Sequence, residues 1–540
     1  MKAINKTYLF IGLLMVVTFF VSNASLPTDI MEARNIVTAR EMVSDGCWLV
    51  PTMNNELRLE KPPLPTWVAG AIEYVCPDSL SAQRIAAGVM GVMWTMFLFL
   101  FAKLISNRTD FALLTTVVFL TCYHVVVMGR MATWDIYCHA FMMGGIYFLM
   151  RGLLDPPERQ WRWFPVAGLM MGLSFLSKGP VSFYALLLPV LISITAFSLP
   201  TARGKWKGIA VLVIVCLVVS SWWYVYLLLF QHQAVEIAIR KESMAWSGHN
   251  VRPWYYYWRF FSETGIWAVI MLAALAISYW KRTLADSRTY LFCVSWTLVT
   301  LLLLSLMPEK KIRYLLPIMA PCAMCVACLM THFIDCKDRF SRVLYQVNGF
   351  LVAVVTLAIP VALIMLHWVS TPVAVFLTFA FLIVAFFVVR ATVRRKPLQL
   401  VYAVAVIFML LECSLLSQVS SLFGNPHEHS IHETRQMAVL QDVPFCHPAQ
   451  DSVRIELVYE AHRKILPLNL ADSAAVMRRL PFALVSGKPA RQELPSNVCR
   501  EVEMVIIDRY DDNKHPRWNR LYTPDFINYV TLIKKKPSHE

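Results

Sequence analysis

The chain has 540 residues, of which 57% are hydrophobic and only 16% charged, and its mean hydropathy is +0.53. These values exclude an ordinary soluble domain and indicate a polytopic membrane protein. The formal net charge is +15, but the basic residues accumulate in turns between apolar segments. That pattern orients a protein in a membrane, so we expect no nucleic-acid partner.

About thirteen apolar segments are long enough to cross a bilayer. The first, residues 7–24, follows Lys2 and Lys6 and lacks a convincing cleavage site, so we expect an uncleaved span with a cytoplasmic N-terminus. With this count every predicted cytoplasmic turn is basic, and the chain after residue 420 lies on the outer side. The remaining spans are predicted at 83–102, 111–129, 133–150, 163–177, 180–198, 208–229, 263–280, 289–306, 314–333, 346–366, 371–389 and 399–419.

Three regions outside the predicted spans are large enough to carry function. Residues 25–82 form a long first loop, in which apolar spacing predicts two interfacial amphipathic helices, over 30–43 and 64–75. The loop 230–262 is rich in aromatic side chains, which suit an interfacial belt or a surface for stacking sugars or lipids. Residues 421–540 mix polar residues with short apolar runs. We therefore predict a membrane domain over 1–420 and a small outer α/β domain over 421–540.

Cysteines and histidines outside the spans supply candidates for cross-links and metal binding. An oxidising exterior makes Cys446–Cys499 and Cys47–Cys76 disulfide candidates. A helix would place His429 and Glu433 on one face, which makes them weak metal candidates, although a polar linker is the favoured interpretation. We therefore predict no required cofactor. A divalent metal ion is the alternative that His429 and Glu433 would suit.

Charged residues cluster at span ends and in the first loop. The candidates are Asp29, Glu32, Arg34, Glu60 and Lys61 in the first loop, Asp135 and Lys178 beside short outer turns, and Glu309 to Tyr314 before the tenth span. An ionisable residue near a span end indicates either function or snorkelling to the membrane surface. For Asp135 function is favoured, because a short acid cannot snorkel far. Together these groups would suit sugar transfer from a polyprenyl phosphate, which needs a carboxylate base and cations that hold the departing phosphate.

An ordered series of motifs resembles the GT-C glycosyltransferases of the protein O-mannosyltransferase superfamily, in particular the bacterial aminoarabinose transferases of lipid A. The resemblance covers most of residues 25–320. The motifs are Glu32-Ala33-Arg34, Arg40-Glu41-Met42, Trp48-Leu49-Val50-Pro51, Glu60-Lys61-Pro62, Phe175-Leu176-Ser177-Lys178-Gly179-Pro180, Arg252-Pro253-Trp254-Tyr255-Tyr256 and Lys311 to Pro317.

The resemblance implies a GT-C fold, an undecaprenyl-phosphate sugar donor and a lipid A-like acceptor, used on the periplasmic side of a bacterial inner membrane. It places Glu60 and Lys61 at the donor phosphate, supported by Lys178, Arg313 and Tyr314. Members of this family usually open the first loop with adjacent Asp and Glu, whereas here Met31 precedes Glu32 and Asp29 lies two residues earlier. The catalytic acids implied are therefore Asp29, Glu32 and Asp135, and which of them is the base stays open.

Two other functions are compatible with the sequence. The same scaffold could glycosylate a protein hydroxyl with the same donor class. A transporter or lipid flippase would also have many spans with buried charges. Transporters tend to have repeated halves and interrupted mid-span helices, neither of which is evident here. Charges at span ends favour an enzyme.

Overall fold

The computed structural model describes residues 2–196, 202–248, 250–365, 370–418 and 424–536. It divides into two compact units. The helical unit comprises residues 1–24, 59–65 and 79–418, and the sheet unit comprises 25–58, 66–78 and 419–540. Parts of several predictions lie outside the described residues: positions 197–198, 366 and 419 of predicted spans, position 249 of the loop 230–262, and positions 421–423 and 537–540 of the predicted outer domain.

The helical unit is built almost entirely of apolar α-helices. Short 3₁₀ or π segments interrupt them at Pro157–Arg159, Phe183–Leu187, Trp254–Trp267, Ile312–Ile318 and Leu416–Gln418. The α-helices are α1 (Lys2–Phe20), α4 (Leu80–Ser106), α5 (Thr109–Leu120), α6 (Tyr123–Met128), α7 (Trp134–Leu154), α8 (Gln160–Lys178), α9 (Leu188–Ala196), α10 (Trp206–Phe230), α11 (His232–Gly248), α12 (Ala268–Ala273), α13 (Ile277–Thr283), α14 (Ser287–Leu306), α15 (Met319–Phe333), α16 (Arg339–Met365), α17 (Thr371–Val393) and α18 (Pro397–Ser414). Helix α2 (Ile30–Asp45) and all but the first two residues of α3 (Leu64–Val75) belong to the sheet unit.

The helices confirm the multi-pass α-helical class. Among the described residues, seven helices are long and apolar enough to cross a membrane, or eight if a pair bent by 73° counts as one span. Several predicted spans are interrupted: the segment 111–129 breaks after Leu120, and 263–280 bends beyond Ala273. The count of about thirteen therefore stays a prediction, because interrupted or short helices do not qualify by length and apolarity alone.

The sheet unit contains a five-stranded mixed sheet in the order β4-β3-β5-β7-β6. Strand β3 is parallel to β4 and β5, whereas β7 is antiparallel to β5 and β6. A two-stranded hairpin, β1 (Thr52–Met53) and β2 (Glu56–Leu57), lies in the first loop. The remaining elements are α2 (Ile30–Asp45), α3 (Leu64–Val75), β3 (Phe445–Pro448), α19 (Ile455–Ala461), β4 (Ile465–Leu468), α20 (Ser473–Arg479), β5 (Phe482–Ser486), α21 (Ala490–Glu493), α22 (Ser496–Glu501), β6 (Val502–Asp511) and β7 (Ile527–Lys535), with 3₁₀ turns at Ile431–Gln436, Ala438–Leu440 and Pro524–Phe526.

Alternating side chains of the strands fill two separate cores, one on each face of the sheet. On β5, Ala483 and Val485 enter one core, while Phe482 and Leu484 enter the other, as the two-residue period of a strand requires. Helix α2 completes the first core with side chains such as Val37. The apolar face that was predicted to lie along a membrane interface is thus used for packing within this unit.

Residues of the Arg40-Glu41-Met42 motif stabilise the sheet unit through hydrogen bonds and burial. The Glu41 carboxylate accepts hydrogen bonds from Thr52 Oγ1 at 2.7 Å and from the backbone N–H of Asn54 and Asn55 at 2.5 and 3.1 Å. Met42 is fully buried. A charged acceptor that collects three donors holds the hairpin against α2 more firmly than a neutral one would.

Candidate active site

Asp135 and Lys178 form a buried ion pair in the helical unit. Asp135 is in the first turn of α7, where the helix dipole favours a negative charge. Lys178 is the last residue of α8, which ends because Gly179 adopts a positive φ of 68°. The two residues are only 3% and 7% exposed. Two helix ends therefore bring together an acid and a base that are 43 positions apart.

Residues preceding α15 surround this pair with aromatic and basic groups. The Lys178 ammonium lies 5.1 Å from the centre of the Tyr314 ring, and Lys311 lies 5.9 Å from it. The Tyr314 hydroxyl donates to Glu309 Oε2 at 3.2 Å, and the Lys311 ammonium pairs with Glu309 Oε1 at 2.5 Å. Arg313 lies close enough to act electrostatically on Asp135. The structure thus brings Asp135, Lys178, Arg313 and Tyr314 together.

The aromatic-rich loop that contains Tyr257 is hydrogen-bonded to the segment from Glu309 to Tyr314. The Tyr257 hydroxyl donates to the Lys311 carbonyl at 3.1 Å and accepts from the Lys311 N–H at 3.0 Å. Lys310 is 4% exposed, and its ammonium donates to the carbonyls of Arg252, at 3.2 Å, and Met307. Lys310 therefore has a structural role, whereas Lys311 faces the Tyr314 ring.

Two further buried side-chain pairs flank the segment that leads to Asp135, and neither pairing was predicted from the sequence. His124 Nδ1 lies 3.2 Å from Glu263 Oε2, and Arg259 donates to the other oxygen of Glu263 at 3.0 Å. Arg130, fully buried, lies 3.3 Å from Glu412 Oε2. Partners 139 and 282 positions apart share no local spacing, so only the tertiary structure could reveal them.

Arg130 is also bonded to backbone carbonyls of two segments. Its guanidinium donates to Val126 at 2.9 Å, to Val21 at 3.0 Å and to Thr18. Together with Glu412, these contacts join the ends of α1, α6 and α18 at one side chain. Because Asp135 follows Arg130 by five residues, this arrangement fixes the turn from which the acid projects.

The first-loop candidates fall in different units. Asp29 and Glu32, in the sheet unit, form a reciprocal cap on α2: Asp29 Oδ1 accepts from the Met31 N–H at 2.8 Å, and Glu32 Oε2 accepts from the Asp29 N–H at 3.2 Å. Glu32 is fully buried. This local pattern is a capping box, which explains why an acid stands at each position. Glu60 and Lys61 belong to the helical unit and are half-buried.

The four cysteines that were disulfide candidates are free thiols in the structure. Cys47 turns back onto the Glu41 carbonyl at 3.4 Å, and Cys76 is exposed. Cys446 is buried in one sheet core, and the Cys499 thiol contacts the Leu494 carbonyl at 3.6 Å. Local packing therefore satisfies these side chains separately.

The weak metal candidates lie within hydrogen-bond distance of each other. His429 Nε2 lies 3.1 Å from Glu433 Oε2 and 3.8 Å from Asp508. Within the described part of the chain, no group of three or more His, Cys, Asp or Glu side chains is arranged to hold a metal ion.

Comparison with known proteins supports the resemblance. The family model described as dolichyl-phosphate-mannose-protein mannosyltransferase matches residues 60–224. An undecaprenyl phosphate-alpha-4-amino-4-deoxy-L-arabinose arabinosyl transferase 2 of Proteus mirabilis is 23% identical over 382 residues, covering 67% of this chain and 66% of the relative. A transferase named for the same reaction in Pectobacterium carotovorum is 26% identical over 357 residues, 62% of each chain. The chain thus spans just under two thirds of the length of these relatives.

Solved structures match over nearly the whole chain. The crystal structure of ArnT from Cupriavidus metallidurans bound to undecaprenyl phosphate matches with a TM-score of 0.69 at 15% identity, covering 98% of both chains. The same protein in the apo state matches with a TM-score of 0.70. The fold is therefore the one that these solved structures have, which here is a multi-pass α-helical protein with a C-terminal β-containing domain. Within that class, the predicted resemblance to the aminoarabinose transferases is confirmed by the sequence relatives and by this shared fold.

Proposed function

We propose that the chain is a glycosyltransferase that moves a sugar from undecaprenyl phosphate to a lipid A-like acceptor at the periplasmic face of a bacterial inner membrane. The sugar that the names of the relatives suggest is 4-amino-4-deoxy-L-arabinose. The observation that carries the proposal is the buried Asp135–Lys178 pair beside Tyr314, in a fold shared with a protein solved with undecaprenyl phosphate.

The charges of this pair suit the two ends of the reaction. An acceptor oxygen would attack the anomeric carbon as the bond from that carbon to the carrier phosphate breaks, and the polyprenyl phosphate would leave with the electron pair. Lys178 and Arg313 would stabilise the negative charge on the leaving phosphate. Lys61 would add a further cation, as the resemblance implies.

A general base is needed where the acceptor is a hydroxyl, because an ionised carboxylate must take up the hydroxyl proton as the new bond forms. Asp135 is a candidate base, since an incoming phosphate would compete for Lys178 and release the carboxylate. Asp29 is the alternative, and one carboxylate oxygen is engaged in capping α2. Inversion at the anomeric carbon is expected from a single displacement.

Purified protein in nanodiscs provides the test. Undecaprenyl phosphate-linked aminoarabinose is supplied with lipid A, and the product is detected by mass spectrometry. Lys178→Met and Asp135→Asn should each lower kcat by roughly a hundredfold or more. Lys103→Met is the matched control, because Lys103 is an exposed lysine in the last turn of α4. Transfer at the wild-type rate in both site variants would contradict the assignment.

A protein acceptor is the second candidate, favoured by the description of the family model that matches residues 60–224. The same assay with a Ser/Thr-rich peptide in place of lipid A separates the two. Sugar on the peptide alone would favour the protein acceptor. Substrate movement across vesicles without any transfer would favour a flippase.

A further inference from the structure

A cavity in the sheet unit lies between α2, the end of α3 and the end of α19. Its volume is about 380 Å³, which falls in the range of small-molecule sites. The residues that line it come from all three segments, and they include acids, bases and apolar side chains. None of the catalytic candidates lines this cavity.

Glu73 lines the cavity, and one of its buried carboxylate oxygens has no hydrogen-bond partner among the residues that the structure describes. The residue is 4% exposed. Its Oε1 accepts from the Asp78 N–H at 3.0 Å and lies 3.7 Å from Arg40 Nε, whereas Oε2 is buried and unpaired. A buried carboxylate oxygen without a donor is costly, so a ligand that donates an N–H or O–H here would be bound favourably.

Two further lining residues, Arg463 and Lys464, are basic. Arg463 donates one N–H to the Leu440 carbonyl at 2.8 Å. Lys464 pairs with Asp45 at 2.6 Å, but both side chains are about one third exposed, at 30% and 36%. Ion pairs at that exposure are weak. An anion entering the cavity could therefore share the Lys464 ammonium at little cost.

The lining residue Arg40 already has an ion-pair partner. Arg40 Nη2 lies 2.5 Å from Asp78, a carboxylate that is also bonded by Arg435 and lies 3.0 Å from His462. Burial raises the pKa of Asp78, but these cationic neighbours outweigh it and hold the pKa well below its usual range. These contacts of Asp78 hold the segment after α3 against the end of α19 and so maintain the shape of the cavity.

The lining also includes apolar side chains. Val37, Val43 and Val458, here called the valine wall, are aliphatic, and Tyr74 lines the cavity at the end of α3. Aliphatic and aromatic surfaces of this kind suit the C–H face of a sugar ring. The side chains of Tyr74 and the adjacent Val75 are 74% and 75% exposed, respectively, which provides an apolar margin where the chains of an amphiphile could continue.

We propose that this cavity binds a phosphorylated aminosugar headgroup, with Glu73 accepting from the amine, Lys464 and Arg463 holding the phosphate, and the valine wall against the ring. Acids and bases are both present, which favours a ligand that carries both charges. The identification of that ligand with the lipid acceptor rests on the proposed function. The cavity would then be a docking subsite separate from the Asp135–Lys178 pair.

Binding of soluble probes to the full chain tests the chemistry without any transfer reaction. Isothermal titration compares glucosamine 6-phosphate, glucose 6-phosphate and glucosamine, and lipid A in nanodiscs forms the lipid-borne arm. We expect the probe with both groups to bind most tightly. Glu73→Gln should weaken its binding roughly tenfold or more while leaving glucose 6-phosphate unchanged, and Lys464→Gln should do the same while leaving glucosamine unchanged.

Three controls keep the test decisive. Lys488→Gln removes an exposed lysine elsewhere in the sheet unit and should change nothing. Ser44→Trp fills the cavity from an exposed position and should abolish binding without removing a charged residue, although it does remove the hydrogen bond from Ser44 to Asp45. If only the lipid-borne ligand binds, with the same sensitivity to these variants, the source is a lipid headgroup. Equal binding of all probes, no binding in either arm, or binding unaffected by Ser44→Trp would overturn the proposal.

The transfer assay separates this inference from the proposed function. The cavity variants should raise the KM for lipid A roughly tenfold and leave both kcat and the KM for the donor unchanged. If the wild-type protein transfers no sugar, the proposed function fails while the binding result stands. If transfer occurs and the KM for lipid A does not move, the docking subsite is refuted alone.

Discussion

Replacing Arg130 by methionine should destabilise the helical unit strongly. The guanidinium is fully buried and pairs with Glu412, itself 3% exposed. Methionine fills similar space but leaves the Glu412 carboxylate buried without a cation. Removing one partner of a buried pair costs about 3–5 kcal/mol, because the remaining charge cannot be solvated.

A second substitution separates the charge effect from the packing effect. In the double variant Arg130→Met/Glu412→Leu no uncompensated charge remains, so we expect the loss to fall to about 1–3 kcal/mol. The remainder reflects the backbone carbonyls at Thr18, Val21 and Val126 that lose a donor. A double-mutant cycle of Arg130→Met and Glu412→Leu should therefore show a coupling free energy of about 2 kcal/mol or more between the two side chains.

The assay is unfolding of the purified protein by SDS titration, followed by tryptophan fluorescence. Arg282→Met is the matched control, because that arginine is exposed and should contribute under about 0.5 kcal/mol. Activity provides a second measurement: the turn carrying Asp135 should lose rigidity, so kcat should fall more than the KM values change. Strictly additive effects, or an Arg130→Met variant as stable as the control, would refute the reasoning.

Three further predictions concern the sheet unit. Glu41→Ala should lower the local stability of the hairpin by about 3 kcal/mol, seen as faster proteolysis within residues 46–58. Burial raises the pKa of Asp512 to about 7; the folded state thus holds this proton more tightly than the unfolded state, and stability should fall by roughly 4 kcal/mol as the pH rises from 4 to 8. Hydrogen exchange should detect that loss, and Asp512→Asn should remove it. Asp29→Asn keeps the helix cap, since asparagine caps as well as aspartate; lost transfer with unchanged Tm would identify Asp29 as the base.

The linear sequence was sufficient for the class of protein and for residues whose role depends on local patterning. Apolar runs with basic turns predicted a multi-pass helical protein, because the bilayer imposes both length and apolarity on each span. The motifs around Lys178 and Tyr314 identified two members of the charged cluster. The capping acids Asp29 and Glu32 were also visible, but as candidates for catalysis, since the sequence does not distinguish a cap from a base.

Tertiary structure decided which distant charges meet and which thiols stay apart. The pairs Arg130–Glu412 and His124–Glu263 join segments with no common spacing, and their stability depends on burial, which a sequence does not display. Packing likewise turned α2 into part of a sheet core and directed Cys47 to a backbone carbonyl. Periodicity determines which face of a helix is apolar. Only the assembled chain determines whether that face meets lipid or protein, because the free energy of burial is similar in both surroundings.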